Sequence, residues 1–310
     1  MKKVIMIFCL IFSLYMLSGC NNEALYGGFG ADFGEPEIRV YNTATKTTSV
    51  YNLEDYVAGV VAGEVYNTWE DEALKVQAIL ARTFALKYIE ENPDIYKEKG
   101  ISTNIADAQS YDDSTINEKI KNAVYATRGI VLTNNNKLIN AYFHSNSGGK
   151  TTTPESAFGA KENLSFIKQT TSPETSENSK NYNWSYSFSK AEMLTALNKM
   201  GVSVANVSSV SLGQKDESGR CNTIVVGGKE VNAAALRSAL GTTKMRSTLL
   251  SSATVSGDNI KFSGLGYGHG VGVSQWGAQI LAKEGKTYQE ILNHYFNNIT
   301  LEKIYSKMWR

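Results

Sequence analysis

Tyr56-Val-Ala-Gly-Val-Val-Ala-Gly-Glu-Val65 and, a few residues on, Glu72-Ala-Leu-Lys-Val-Gln-Ala-Ile-Leu-Ala-Arg-Thr-Phe-Ala85 form the stretch that decides the fold. Leu53, Tyr56, Val57, Val60 and Val61 recur at helical spacing, which predicts a short helix ending near Gly63-Glu64. Thr68 with Asp71 three residues on has the form of a capping box, with Asp in place of Glu. The spacing therefore predicts a second, stronger helix from Trp69 to about Glu90, closed by Asn92-Pro93. Its apolar stripe includes Ala73, Val76, Leu80, Ala81 and Phe84. Glu64 then stands at the C-terminal end of an apolar helix, where the helix dipole and apolar neighbours both disfavour its charged form. A raised pKa is what a general acid near neutral pH requires. Position alone fits a structural or solvated cap better than a catalytic role.

Upstream, Glu37-Ile-Arg-Val-Tyr41 alternates as a strand, and Ser49-Val-Tyr51 reads as its partner. At the start, Lys2-Lys3 precedes an apolar run from Val4 to Leu17, too short to span a bilayer comfortably, and then Leu17-Ser-Gly-Cys20. This looks like a bacterial lipobox. The likeness implies cleavage before Cys20 and lipid on its thiol and amine, with residues 1–19 a lipoprotein signal peptide and 20–36 a Gly-, Asn- and acid-rich tether. A plain signal peptide or an uncleaved anchor is the alternative. The protein is expected on the outer face of the cytoplasmic membrane, on the cell-wall side, where ATP- or NAD-dependent chemistry is out of place.

Lys and Arg number 31 against 30 Asp and Glu in 310 residues, a balance that argues against a nucleic-acid binder with a large basic footprint. With 42% hydrophobic and 20% charged residues, the chain has the composition of a globular protein. The cysteines are Cys9, Cys20 and Cys221. If Cys20 carries lipid, no intrachain disulfide joins the mature protein, and a Cys-rich zinc site is excluded. Seventeen tyrosines suit sugar faces and ordinary packing alike.

Downstream, residues 116–127 read as a helix stopped by Gly129, and Ile130-Val-Leu132 with Ile139–Phe143 reads as a hairpin across Asn134-Asn-Asn136. Lys168 to Asn183 is polar and reads as a loop. Trp184–Phe188 is a strand, and Ser189 caps a helix over Lys190–Met200. Strands follow near Val207–Leu212 and Asn222–Val226, then a helix over Asn232–Leu240. Residues 183–250 thus have a rhythm of their own, that of a possible subdomain. Helices over Ser274–Lys283 and Tyr288–Phe296 and a tail strand at Leu301 complete the chain. The expected fold is α+β: helices and antiparallel strands around a cleft, over residues 37–310, with an inserted smaller α/β subdomain.

Two further motifs carry candidate chemistry. Gly264-Leu-Gly-Tyr-Gly-His-Gly-Val-Gly-Val-Ser-Gln-Trp-Gly277 alternates glycines that permit close backbone approach to a ligand, or simply a tight turn. It has neither the GxGxxG nor the GK[ST] pattern of phosphate cradles. Ser274 lies in G-x-S-x-x-G, one residue too long for a nucleophile elbow. Phe143-His-Ser-Asn-Ser-Gly-Gly149 follows a strand, so His144 and Ser145 sit at a strand-to-loop edge. His144 and His269 suit hydrogen bonding or metal ligation, but no third ligand lies near them in sequence and no HExxH occurs. His294, beside Tyr295 and Phe296, reads as packing.

Taken in order, the Tyr56–Val65, Glu72–Ala85, Phe143–Gly149 and Gly268-His-Gly-Val-Gly-Val-Ser-Gln-Trp-Gly-Ala278 motifs strongly resemble the stage II sporulation protein D family, whose wider group includes amidase-enhancer proteins. The resemblance runs from about residue 38 to 303, and Tyr288-Gln-Glu-Ile-Leu-Asn-His-Tyr-Phe296 matches too. It implies a peptidoglycan lytic transglycosylase acting during engulfment in spore formers, on glycan strands stripped of stem peptides by a partner amidase of the stage II sporulation protein P-like kind, together with a membrane scaffold. The family's acid corresponds to Glu64. Some members bind zinc through cysteines near the His-Ser segment; here Asn146 and Ser147 stand there, so no zinc and no other cofactor is expected. Members often carry an uncleaved transmembrane helix, where this chain has Cys20.

A hydrolytic glycosidase generally needs two carboxyl groups flanking the bond. A lytic transglycosylase needs one, and Glu64 is the one well-placed candidate; Glu70, Asp71 and Glu72 read as helix N-terminal charges. Gln77, Arg82, His144, Ser145, Ser147, His269, Gly270, Ser274 and Gln275 are the candidates for holding the sugar. Gln77 and Arg82 are equally readable as buried helix-face hydrogen bonders. Glu64, His144 and His269 are expected to converge on one groove. The rival readings are a non-catalytic glycan-binding activator of a cell-wall amidase and a muramidase that uses water.

Overall fold

The computed structural model of the chain describes residues 34–104, 107–159 and 164–305. The stretch read as a signal peptide, Cys20 and the stretch read as a tether, up to residue 33, lie outside the described residues. Strand β1 (Glu37–Asn42) runs antiparallel to β2 (Thr47–Asn52), in register from Glu37 opposite Asn52 to Asn42 opposite Thr47. The chain passes straight from β2 into helix α1 (Leu53–Glu64), which ends at Glu64 as its apolar spacing predicts. Helix α2 (Asp71–Glu91) begins two residues later than expected. Thr68 does not cap it: Glu70 is the cap residue and makes no side-chain cap bond. Residues 66–69 instead form a turn, in which Trp69 N–H donates to Tyr66 C=O, and Trp69 is buried. Helix α3 (Pro93–Glu98) leads to β3 (Ile101–Ser102), which pairs parallel with β1.

Helix α4 (Glu118–Ala126) is capped by Asn117, whose Oδ1 accepts from Ile120 N–H at 3.0 Å. Strand β4 (Ile130–Asn134) turns at Asn135-Asn136, both left-handed with φ of 51° and 59°, into β5 (Lys137–Leu138). Two consecutive left-handed residues are the signature of a tight hairpin turn. The hairpin stops at Leu138, short of Phe143. Strand β6 (Phe143–His144) leaves it to pair parallel with a strand far along the chain. Helix α5 (Pro154–Phe158) follows.

Strand β7 (Asn183–Ser189) feeds α6 (Lys190–Lys199) through a full capping box between Ser189 and Glu192. Then come β8 (Val210–Leu212), β9 (Thr223–Val226), β10 (Lys229–Asn232), α7 (Ala233–Leu240), β11 (Leu250–Ser256) and β12 (Asn259–Leu265). Two three-stranded antiparallel sheets, β10-β9-β8 and β11-β12-β7, enclose one apolar cluster that runs from Trp184 to Phe262. That cluster takes in the β11–β12 hairpin beyond residue 250. Last come β13 (Val273–Ser274), α8 (Gln275–Lys283), α9 (Tyr288–Tyr295) and β14 (Thr300–Lys303), which closes antiparallel against β4. The fold is mixed α+β, as the pattern implies. Helix α2 is its axis, buried along most of its length between α1 and α4 in one cluster and β4, α8 and α9 in another.

Candidate active site

Glu64 is the last residue of α1, and two glycines one and five residues before it decide what can reach it. A Cβ at Gly59 would lie 2.2 Å from the Tyr111 ring, and one at Gly63 would lie 2.8 Å from Tyr111 N. This bare stripe lets the 109–112 loop close onto the helix, with Asp112 N–H donating to Gly59 C=O. The closure brings Ser110 N–H to Glu64 Oε1 at 2.8 Å. On the other oxygen, Gln275 Nε2 donates to Oε2 at 3.2 Å and also to Gln77 Oε1 at 3.3 Å. Burial pushes the Glu64 pKa above the ordinary carboxylate value, and the Ser110 and Gln275 bonds only partly oppose it. The carboxylate sits at the helix C-terminus, the end that repels it.

Glu64 lines a cleft of about 300 Å³ together with Tyr66, Trp69, Ser145, Asn181, Gln275 and Trp276. Trp69 and Trp276 meet edge to face with centroids 5.1 Å apart, and Tyr66 completes the group at 5.9 and 6.2 Å. Flat aromatic faces beside a carboxyl group whose charged form is disfavoured by burial suit the apolar face of a sugar ring. Among the described residues lining this cleft, Glu64 is the only carboxylate. Glu70 and Glu72 are not among its lining residues: Glu70 stands at the N-cap position of α2, and Glu72 accepts from Lys75 and from Tyr288 N–H. A larger depression of about 1010 Å³ near Asp216 has no aromatic residue among those described in its wall. Burial there pushes Asp216 up, but hydrogen bonds from Ser156, Ser218, Thr152 and Arg220 N–H hold its carboxyl below the ordinary range, so it is no general acid.

Of the sequence candidates, Ser145 and Gln275 share the cleft with Glu64, and Gln77 stands behind Gln275, only 2% exposed. His144 and His269 pair with each other, ring centroids 5.5 Å apart, among Tyr142 and Phe158; neither is among the lining residues of the cleft. Burial, reinforced by Arg237, holds His269 down at about 3, and burial with His269 and Arg220 holds His144 well below its usual value. Both rings are therefore neutral. His144 Nδ1 lies 3.1 Å from the Val271 carbonyl, so it must donate, and Nε2 is left as a buried lone pair without a partner. The residues around it do not make a zinc site. His269 Nδ1 accepts from Val271 N–H, Asn146 binds Ser179 and the Lys180 carbonyl, and no thiolate is at hand.

Arg82, Ser147, Gly270 and Ser274 are corrected by their burial. Arg82 is 0% exposed and forms a two-pronged ion pair with Glu54, so it has no surface to offer a sugar. Ser147 and Ser274 are enclosed around Glu174, whose Oε1 accepts from Ser147 N–H at 2.7 Å, Ser147 Oγ at 2.5 Å and Ser274 Oγ at 2.7 Å. Gly270 (φ 86°) is pressed against the Arg220 guanidinium, 2.5 Å from where a Cβ would stand. The glycine repeat thus admits neighbouring protein groups and not a ligand at this point. Glu174 itself, 1% exposed, lies in the stretch that reads as a polar loop, and nothing local marks it as buried. Tyr66, Trp69 and Trp276 carried a usable signal: aromatic residues within five positions of the acid and next to Gln275.

A family profile described as "Stage II sporulation protein" matches residues 41–134, the span that holds Glu64, α2 and Ser110, and a profile for a domain of unknown function matches residues 140–272. Stage II sporulation protein D of Bacillus subtilis (strain 168) is 33% identical over 286 residues, covering 86% of this chain and 79% of that protein. The chain belongs to the stage II sporulation protein D family. The protein of the same name from Bacillus amyloliquefaciens is 31% identical over 282 residues, covering 86% of this chain and 78% of its own. The similarity extends to the amidase enhancer of Bacillus subtilis (strain 168), 28% identical over 294 residues; the matched part is 78% of this chain but 40% of that protein. The names tie the stage II sporulation protein D family to sporulation; the first matched span supplies Glu64, Tyr66 and Trp69 to the cleft, the second Ser145 and Asn181, and Gln275 and Trp276 lie just beyond it.

Proposed function

We propose that the chain is a peptidoglycan lytic transglycosylase, which cuts the bond between N-acetylmuramic acid and N-acetylglucosamine in peptide-stripped glycan strands and leaves 1,6-anhydro ends, during engulfment in sporulation. The observation that carries this reading is Glu64 as the single carboxylate among the described residues of an aromatic-walled cleft, with its pKa raised. Ser110 N–H holds Oε1, so Oε2, on the longer bond to Gln275, carries the proton to the glycosidic oxygen. The C1–O bond breaks as the leaving hydroxyl gains that proton. Glu64, now a carboxylate, takes the proton of the C6 hydroxyl, whose oxygen bonds to C1 and closes the anhydro ring. One carboxyl group serves both transfers, and water takes no part.

Purified soluble chain incubated with peptide-free strands is expected to release ends lighter by one water than hydrolysed ends, read by mass spectrometry. Hydrated reducing ends would make the protein a muramidase and require a second carboxylate. The relative named amidase enhancer supports the rival reading, a glycan-binding activator of a cell-wall amidase. Under it the strands stay intact, and the Glu64→Gln protein activates the amidase fully. A stage II sporulation protein P-like amidase and a membrane scaffold are the partners this reading proposes. The anchor is proposed to be lipid on Cys20, at the outer face of the cytoplasmic membrane. Cys20→Ala is expected to leave an uncleaved precursor that takes up no labelled lipid; normal processing and labelling of that variant would remove the lipobox from the account.

A further inference from the structure

Four cations, Lys180, Arg220, Arg237 and Arg246, form no ion pair among the described residues. Two are interior and structural. Arg220 gives its guanidinium to the Ser147 and Lys150 carbonyls, and Arg237 gives Nε to the Arg246 carbonyl. Lys180 and Arg246 face the rim. Lys180 is exposed, with Nζ 5.0 Å from the centre of the Tyr66 ring, which itself lines the cleft. Arg246 lies over the Tyr267 ring at 5.3 Å and donates from Nη1 to Oδ1 of Asn181, another lining residue, at 3.2 Å. Asn146 of the His-Ser-Asn-Ser motif fixes this edge by donating to Ser179 Oγ and to the Lys180 carbonyl.

A chain whose formal charge is only +1 has no general excess of cations to spread over its surface. Leaving two of them unneutralised beside aromatic walls and a single acid gives the cleft a positive rim. Such a rim raises the local concentration of an anion and orients it. Because the walls present flat faces suited to a sugar, the anion that fits is one carried by the sugar itself.

We propose that Lys180 and Arg246 form an anion subsite that reads a carboxylate on the sugar ring placed against Glu64. This rests on the reading of the cleft as a glycan site. On a muramic acid residue the only carboxylate is the lactyl group, which is free when no peptide is attached and becomes a neutral amide when one is. The subsite therefore distinguishes stripped from peptide-bearing strands by charge as well as by bulk. The interaction is a pair of charge-assisted hydrogen bonds at a partly solvated rim.

Binding is measured with the Glu64→Gln protein, which keeps strands intact, by calorimetry against two ligands: peptide-free strands with free lactyl carboxylates, and the same strands with those groups converted to methylamides. Methylamide conversion is expected to weaken binding about tenfold. In the Lys180→Gln, Arg246→Gln double variant, strands with free carboxylates are expected to bind about tenfold more weakly, and the preference between the two ligands disappears. Lys180→Arg with Arg246→Lys is expected to restore the preference, and thermal melts check that each variant is folded. Equal binding of the two ligands by the parent, or a preference that survives in the double variant, overturns the subsite. These results separate from the fate of the glycan reading. Wild type that leaves strands uncut, yet prefers the carboxylate, loses the cleavage reading and keeps the subsite. Wild type that cuts both ligands alike keeps the cleavage reading and loses the subsite. Binding to neither ligand overturns both.

Discussion

Glu64→Gln is expected to lower strand cleavage by about 10²- to 10⁴-fold, the range that positioned proton transfer typically supplies. The amide keeps the size of the carboxyl group. Its oxygen still accepts from Ser110 N–H, and its NH₂ donates to Gln275 once the Gln275 and Gln77 amides both turn, which lets Gln77 Nε2 donate to Gln275 in its place. What is lost is the titrating proton. Strand binding should survive, and retention of more than about half the wild-type rate would remove Glu64 as the acid. The same pKa shift fixes two pH effects. Wild-type cleavage needs Glu64 protonated, so its rate falls as pH rises through the raised Glu64 value. The folded protein also holds that proton more tightly than the unfolded chain. The stability linked to it is therefore full below the ordinary carboxylate pKa and lost as pH rises through the Glu64 value. Gln carries no such penalty, so the variant is expected to melt higher than wild type at neutral pH, with the difference closing in acid. A lower melting temperature at neutral pH would show that the carboxylate is stabilised in the fold and not strained.

Glu64 was legible as a candidate because its signal is local: an apolar helix, a pair of small residues and a carboxylate at the end. What holds its carboxyl group is not local. Ser110 lies 46 residues away and Gln275 211 residues away, and only the closed fold brings their donors to the two oxygens. The same division runs through the fold. Ser189 with Glu192 and the Asn135-Asn136 turn were readable because each closes within a few residues. The length of the β4–β5 hairpin was not, because β6 takes its partner, β13, from the far end of the chain, and parallel pairing leaves no mark in the intervening sequence. The polar stretch around Glu174 misled for the converse reason. Polarity argues for solvent exposure, yet Ser147 and Ser274, both distant in sequence, give its Oε1 three donors inside the fold, while Oε2 is buried without one among the described residues. The His144–His269 pair, read as a wall of the Glu64 groove, packs ring against ring outside the residues that line it, a contact across 125 residues that nothing local marks.

Arg82→Ala is expected to cost about 3–5 kcal/mol of stability, the usual penalty for removing one partner of a buried ion pair. Arg82 reaches Glu54 through Nε at 2.9 Å and Nη2 at 2.5 Å, and gives Nη1 to the Ile130 carbonyl at 2.9 Å. Glu54 also accepts from Gly129 N–H at 3.0 Å and from the Tyr305 hydroxyl. One carboxylate thus joins the start of α1, the middle of α2, the entry to β4 and the end of the described chain. Without Arg82 it keeps two neutral donors and loses its counter-charge in a place where its side chain is only 11% exposed. The expected loss corresponds to a fall of roughly ten degrees in melting temperature for a domain of this size. Pairing Arg82→Met with Glu54→Gln removes both charges and should recover most of the loss, because the penalty comes from the orphaned charge and not from the missing attraction. Denaturant melts of the two single variants and the double variant give this coupling directly. A sugar ligand would behave differently: Arg82→Ala would fold with wild-type stability and lose glycan affinity. That result would return Arg82 to the binding surface and contradict its burial. The expected result leaves it as the support for the α1–α2 junction, from which Glu64 is held one helix length away from Glu54 at the mouth of the cleft.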